Sequence, residues 1–336
     1  MIKNFLTFTA ILLFVASCKN GPCPDKSDYL GAKPPKGDKQ WCEKKGAKGK
    51  MVKDGPYYAW YSEKQKKTEG TFSNNKKVGK WLWWTKDGKK LREGSFKKNK
   101  RDGLWTFWSK KGQKKSEETY KNGKLNGPQT TWYENSKLKT RGEMKNDKPD
   151  GQWVFWSKNG KKESEGSYKD GKEHGPWKFY GKKGNLKYEG SFKNGERDGT
   201  WVYLNKDGKK VKSGQYNDGK KSGKWQSWYK DGKDKGLGEY KKGKRHGQFT
   251  TWFSSGKIKA KGSYSNGKRT GEWTQWTEQG AVSSQGAYEK GKKIGVWLVL
   301  DENGKEVITD YNDNAPGAKA PPTPAPGKPA PRKKKK

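Results

Sequence analysis

Large hydrophobic side chains are sparse in this chain, but they return at a fixed interval. The stretch 79–100 reads Gly-Lys-Trp-Leu-Trp-Trp-Thr-Lys-Asp-Gly-Lys-Lys-Leu-Arg-Glu-Gly-Ser-Phe-Lys-Lys-Asn-Lys, and close copies follow it. Glycines stand at 55, 79, 103, 127, 151, 175, 199, 223, 247, 271 and 295, each 24 residues after the last. Two positions beyond each glycine comes an aromatic ring, as at Trp81, Trp105, Trp153 and Trp201; Gln129 alone breaks the row. Five positions on stands a second large residue, as at Trp60, Trp84, Trp108 and Trp132. Fifteen on is another glycine, as at Gly70, Gly94 and Gly142, with Glu118 the exception; two later sits Phe72, Phe96, Tyr120 or Met144. A fixed period of this size marks a repeat architecture.

Between the apolar rows lie two kinds of turn. One reads Lys-Asn-Gly-Lys at 121–124, the other Lys-Asp-Gly-Lys at 86–89. Asn-Gly and Asp-Gly between aromatic runs are strong hairpin signals, because these residues tolerate positive φ. Each repeat therefore predicts two short strands and two tight turns, joined into one antiparallel meander. Offsets of two and five differ in parity, so the aromatic rows belong on opposite faces unless a bulge intervenes. The glycines are expected across the ladder from the rings, each covered by an indole. On that reading the aromatics are packing residues rather than ligand-stacking ones. The predicted fold is all-β: an elongated, single-layer, twisted antiparallel meander of tandem 24-residue hairpins. Some 22 strands at about 4.8 Å spacing would extend on the order of 100 Å.

This pattern resembles the MORN repeat (membrane occupation and recognition nexus), in the bacterial variant form linked to antitoxin components. Gly-Ser-Phe-Lys-Asn-Gly-Glu-Arg-Asp-Gly-Thr-Trp at 190–201 and Gly-Glu-Tyr-Lys-Lys-Gly-Lys-Arg-His-Gly-Gln-Phe at 238–249 carry the likeness, which covers about residues 46–310. The resemblance implies an extended sheet that serves as a platform for lipids or proteins. It implies no shared activity.

Composition alone points elsewhere. Only 28% of the 336 residues are hydrophobic and the formal charge is +41, values typical of disorder. The periodic aromatics reverse that expectation, since they give every hairpin something to bury. Stability should then approach a sum over neighbouring repeats.

The ends of the chain read differently. Residues 1–17 have a short apolar run from Phe5 to Phe14, too short to span a bilayer, and are expected to be a lipoprotein signal peptide. Val15-Ala16-Ser17-Cys18 looks like a lipobox, with Cys18 as the lipidated residue. Residues 18–45 read as a proline-containing tether holding Cys23 and Cys42, which are expected to pair outside the cytoplasm. Residues 46–311 form the array of about eleven repeats, and 312–336 a disordered Pro/Ala/Lys-rich basic tail ending in Lys333, Lys334, Lys335 and Lys336. These features place the protein in a bacterial cell envelope, lipid-anchored, at the outer membrane, facing the periplasm or the surface.

No constellation of residues calls for catalysis, a metal or a cofactor. His174 and His246 each precede a repeat glycine, a slot that other repeats fill with Asp102, Asp150 or Asp198, and read as turn residues. Glu69, Glu93, Glu165 and Glu189 recur at one position and read as cross-strand partners for lysines. What recurs most is lysine. Lys76, Lys100, Lys124, Lys148, Lys172, Lys220, Lys244, Lys268 and Lys292 occupy one turn position and are the candidate anion contacts, together with the tail lysines. Turns of one kind share one side of a meander, so these charges should line an edge at a spacing near the screening length. Lysine at sheet edges also opposes aggregation, which accounts for part of the charge. The function expected is a membrane-anchored, non-enzymatic binding scaffold whose basic sheet contacts anionic envelope polymer, lipid headgroups or a protein partner. The alternative is an antitoxin-like protein that neutralises a toxin by binding it. Interleaved rings and basic charge also suit single-stranded nucleic acid, but export would remove that ligand.

Overall fold

A computed structural model describes residues 23, 24 and 26–312. Cys18 and the signal peptide, and the basic tail beyond Asn312, lie outside the described residues. The described residues form 24 antiparallel strands and no α-helix. The chain divides into two units, 1–184 and 185–336. The first holds β1 (Asp28–Ala32), β2 (Lys39–Lys45), β3 (Met51–Trp60), β4 (Lys66–Ser73), β5 (Lys76–Trp84), β6 (Lys90–Lys97), β7 (Lys100–Trp108), β8 (Lys114–Lys121), β9 (Lys124–Trp132), β10 (Leu138–Lys145), β11 (Lys148–Trp156), β12 (Lys162–Lys169) and β13 (Lys172–Tyr180). The second holds β14 (Leu186–Lys193), β15 (Glu196–Leu204), β16 (Lys210–Asn217), β17 (Lys220–Trp228), β18 (Asp234–Lys241), β19 (Lys244–Trp252), β20 (Ile258–Ser265), β21 (Lys268–Trp276), β22 (Val282–Glu289), β23 (Lys292–Leu300) and β24 (Glu306–Asp310). Within each unit every strand pairs with the next in sequence, so each is an open meander without a crossover.

The two turn types close the hairpins as their residues require. The Asn122-Gly123 turn has both φ values positive, 54° and 90°, which is the backbone of a type I′ hairpin. The 86–88 loop is a three-residue turn: Gly88 N–H donates to Thr85 C=O at 3.1 Å and Gly88 takes φ 82°. Turns also bind the preceding repeat. Gly123 N–H donates to Arg101 C=O at 2.8 Å, and Asn122 N–H donates to the Asp102 carboxylate at 3.3 Å. Asp54 accepts from Asn74 N–H at 3.0 Å in the same way, which explains why the residue before each repeat glycine is so often Asp.

The core is a row of indoles laid on glycines. Trp81, Trp105, Trp201 and Trp297 are at most 1% exposed although no second layer covers them. Each lies flat on the glycine of the preceding strand: a Cβ added to Gly94 would fall 2.2 Å from Trp105 Cδ2. The ladder slips between Glu93 and Ser95, and the indole N–H of Trp105 donates to Ser95 C=O at 3.0 Å. Trp81, Trp153, Trp225 and Trp273 repeat that bond. Tryptophan thus contributes its donor as well as its area. The aromatic rows separate by face as their parity demands. Trp81 stacks on Trp83 at 5.8 Å, whereas Trp60 contacts Tyr58 at 6.3 Å on the other face. The bulge at this end is on the partner strand, where Trp83 faces Arg92 and Trp84 faces Lys90, so the ring-bearing strand keeps its alternation.

At the N-terminal end the sheet begins before the expected boundary. Residues 28–45, read from sequence as part of a tether, form β1 and β2, and β2 pairs with β3. Their place is hidden because the periodicity fails there. Trp41 faces Tyr57, where later repeats set a glycine against the ring, and residues 46–50 replace a two-residue turn. Cys42, 1% exposed, is disulfide-bonded to Cys23.

Candidate functional site

The hairpin position read as an anion contact opens alternate strands of the array, with Glu196 at the head of β15 the exception. Lys76, Lys100, Lys124, Lys148, Lys172, Lys220, Lys244, Lys268 and Lys292 are each the first residue of a strand, and all are exposed. Five of the nine face another lysine, whereas Lys76, Lys220 and Lys268 face Ser73, Asn217 and Ser265, and Lys292 faces Glu289. Lys97 faces Lys100, Lys121 faces Lys124, Lys145 faces Lys148, Lys169 faces Lys172, and Lys241 faces Lys244. Like charges directly opposite one another destabilise a hairpin. The ion pairs among the described residues include none of the nine.

Of the recurring carboxylates Glu69, Glu93 and Glu165 form ion pairs, mainly within a strand rather than across it, while Glu189 faces Val202. Lys66–Glu69, Lys90–Glu93, Lys114–Glu117 and Lys162–Glu165 lie at 2.5–2.9 Å, each lysine three residues before its partner. Alternation breaks at the bulge, which brings the two side chains together. Lys80–Glu93, at 3.6 Å, links neighbouring strands as expected, and Lys44–Asp54, at 2.7 Å, joins β2 to β3. Lysine contacts hold the Glu93 and Glu165 carboxyls below their ordinary range against the opposing effect of partial burial.

A second cationic row was missed. Two residues before the repeat glycine stand Lys53, Lys77, Arg101, Arg197, Lys221, Arg245, Arg269 and Lys293. Their charges lie over the rings: Lys77 Nζ is 4.6 Å from the Trp81 centroid, Arg101 Cζ 4.7 Å from Trp105, and Arg269 Cζ 4.5 Å from Trp273. The period alone would have revealed the row. It is interrupted at Leu125, Pro149 and Glu173. Burial, with Arg92 nearby, lowers the Lys77 ammonium from its ordinary range. Arg101 also donates to Tyr120 Oη at 2.8 Å, and that hydroxyl donates to Glu118 at 2.6 Å. Burial first and Glu118 second raise the Tyr120 phenol to about 12.

The histidines sit in strands rather than turns, and Nδ1 of both His174 and His246 is buried without a hydrogen-bond partner. No cluster among the described residues could hold a metal ion. Among the described residues no helix is long and apolar enough to cross a membrane.

Comparison with known families agrees with the ladder. The MORN repeat variant model matches residues 77–98, 101–122, 125–146, 149–170, 173–194 and 245–266, and the MORN repeat model matches 69–80 and 188–208. MORN repeats are thus detected in both units, the repeats of a binding or scaffold protein. No curated protein matches the chain. Among solved structures, a Photorhabdus luminescens Tc holotoxin pore aligns at 10% identity over 82% of this chain and 18% of that one, with a TM-score of 0.18. A porin-like protein from Bacteroides uniformis aligns at 9% identity over 76% and 92%, with a TM-score of 0.13. The chain spans about a fifth of the toxin chain, and neither score relates the folds.

Proposed function

We propose that this protein is a lipid-anchored, non-enzymatic scaffold whose hairpin turns bind anionic envelope polymer. The observation that carries the reading is the set of lysine pairs facing each other at the turns, such as Lys97/Lys100 and Lys145/Lys148. Each pair places two ammonium groups at the end of a hairpin, without a carboxylate counter-ion and open to solvent. Such an arrangement works against the hairpin that carries it. A polyanion running along the turns relieves the repulsion at each repeat that carries such a pair, because the groups lie within about a screening length of one another. Affinity then comes from many weak contacts rather than one pocket. Cys18 supplies the anchor, and the basic tail ending in Lys336 adds a further anionic contact.

Co-sedimentation with purified lipopolysaccharide tests the polymer contact. Binding should weaken as salt is raised, and weaken further when Lys100, Lys124, Lys148, Lys172 and Lys244 are changed to Gln. Retention indifferent to both changes would reject it. For the anchor, palmitate should label the wild-type chain and not the Cys18→Ala variant; equal labelling would reject that part.

A further inference from the structure

The second ring of the ring-bearing face is not kept in every repeat. Four positions beyond the repeat glycine stand Trp83, Phe107, Phe155, Phe179 and Tyr203, but Ala59, Thr131, Gln275 and Val299 in other repeats. In β17 and β19 the same position is Ser227 and Thr251. The strand between them contributes Gly236, paired with both, at a position that other repeats fill with small residues such as Ser116, Thr140 and Ala260 or with large ones such as Arg92 and Tyr188. Three small residues in register leave a hollow of about 590 Å³ beside the rings of Trp225 and Phe249. That lies within the usual volume of a small-ligand site.

The polar groups of this hollow are mostly positive or hydroxylic. Lys212, which lines it, has its Nζ 5.1 Å from the Trp225 centroid, and Lys221, outside the lining, has its Nζ 4.5 Å from the same ring. Arg245 stands 5.6 Å from the Phe249 centroid and donates to Tyr264 Oη at 2.9 Å. None of these three cations is ion-paired among the described residues. Burial and the neighbouring Lys221 lower the Lys212 ammonium from its ordinary range, as expected of a cation lacking a counter-charge. Phe249 replaces the tryptophan of other repeats and Gly238 lies beneath it, so the row keeps a flat apolar wall here.

We infer that this hollow binds one acidic sugar residue, a pyranose bearing a carboxylate. The C–H face of a pyranose matches the apolar wall, its hydroxyls match Ser227 and Thr251, and its carboxylate matches Lys212 and Arg245, to which charge-assisted hydrogen bonds are the strong kind. The site is separate from the turn lysines and does not depend on them. It deepens the scaffold reading by naming a repeating unit that an anionic polymer would supply.

The test is calorimetric titration of the full chain with a trimer of galacturonic acid. Neutral galactose oligomer, inorganic phosphate and phosphatidylglycerol vesicles serve as comparison probes. Ser227→Phe restores the ring of other repeats and fills the hollow. Gly236→Ala introduces a Cβ 3.1 Å from Ser227 Oγ, a hydroxyl that can rotate away, and checks that the strand tolerates side chains. The expected result is uronate binding at least tenfold tighter than the neutral sugar, lost in Ser227→Phe and weakened about tenfold in Lys212→Gln. It should persist when the five turn lysines are changed to Gln, so that the turn proposal and this one can fail separately. Equal binding of neutral and acidic sugars, or uronate binding unchanged in a folded Ser227→Phe chain, would overturn it. So would phosphate or vesicle binding stronger than uronate binding and equally sensitive to Ser227→Phe.

Discussion

At the scale of single residues, the contact between indole and glycine determines most of what is conserved from repeat to repeat. Gly94→Ala would place a methyl 2.2 Å from Trp105 Cδ2, on a rigid ring already packed against Phe96 and Phe107. Overpacking of this kind costs about 1–3 kcal/mol. Urea unfolding should show that loss, and the loss should shrink when Trp105→Leu is combined with it, because the two positions touch. An additive pair would contradict the contact. The chain contains its own version of the exchange. Glu118 stands where the glycine should be and Gln129 where the ring should be, and the two face each other across the ladder. From sequence they are two separate exceptions; only the register shows that they are one. Glu118 also predicts a pH effect. The Tyr120 phenol is raised above its unfolded value of 10 to about 12, so its contribution to stability is full below pH 10 and is lost as pH rises through about 12. Ultraviolet titration should show late tyrosinate steps whose amplitude falls by one tyrosine in Tyr120→Phe, the rest coming from other raised phenols such as Tyr203; an unchanged late amplitude would contradict the assignment to Tyr120.

At the scale of strands and turns, the sequence was most informative where one residue type is mandatory. The Asn-Gly and Asp-Gly turns, the alternation of rings and the 24-residue step all follow from backbone requirements that few residues meet. β1 and β2 escaped notice because they use neither requirement. Their order rests on the Cys23–Cys42 bond and on the pairing of Trp41 with Tyr57, which has no periodic signature. Reduction of the disulfide should therefore speed amide exchange in β1 and β2 while leaving β5 to β9 unchanged. Uniform acceleration would show that the ends are not independent. The cationic row over the indoles was overlooked for another reason. Lysine and arginine are so common here that one more periodic set does not stand out until Lys77 and Arg101 are seen above their rings. The intrastrand Lys90–Glu93 pair could not be anticipated from alternation, because a bulge places both side chains on one side. At the turns, Lys100→Glu should stabilise its hairpin by a few tenths of a kcal/mol, replacing repulsion with an exposed ion pair to Lys97. A destabilised variant would show that the lysine serves the fold.

At the scale of the whole chain, the formal charge of +41 and the sparse core are two sides of one arrangement. A thin sheet held by ring-on-glycine contacts buries few side chains, so nearly every other position is free to carry charge. Some of that charge is absorbed by rings and carboxylates, as at Arg197 over Trp201 and Lys162 beside Glu165. The turn lysines that face other lysines are not absorbed, and the proposed polyanion would balance them. The most direct measurement compares the Lys100, Lys124, Lys148, Lys172 and Lys244 to Gln chain with wild type, reading urea midpoint and lipopolysaccharide affinity on the same samples. The predicted result is a midpoint equal to or above wild type with affinity and its salt dependence both reduced. A lowered midpoint with undiminished affinity would contradict it.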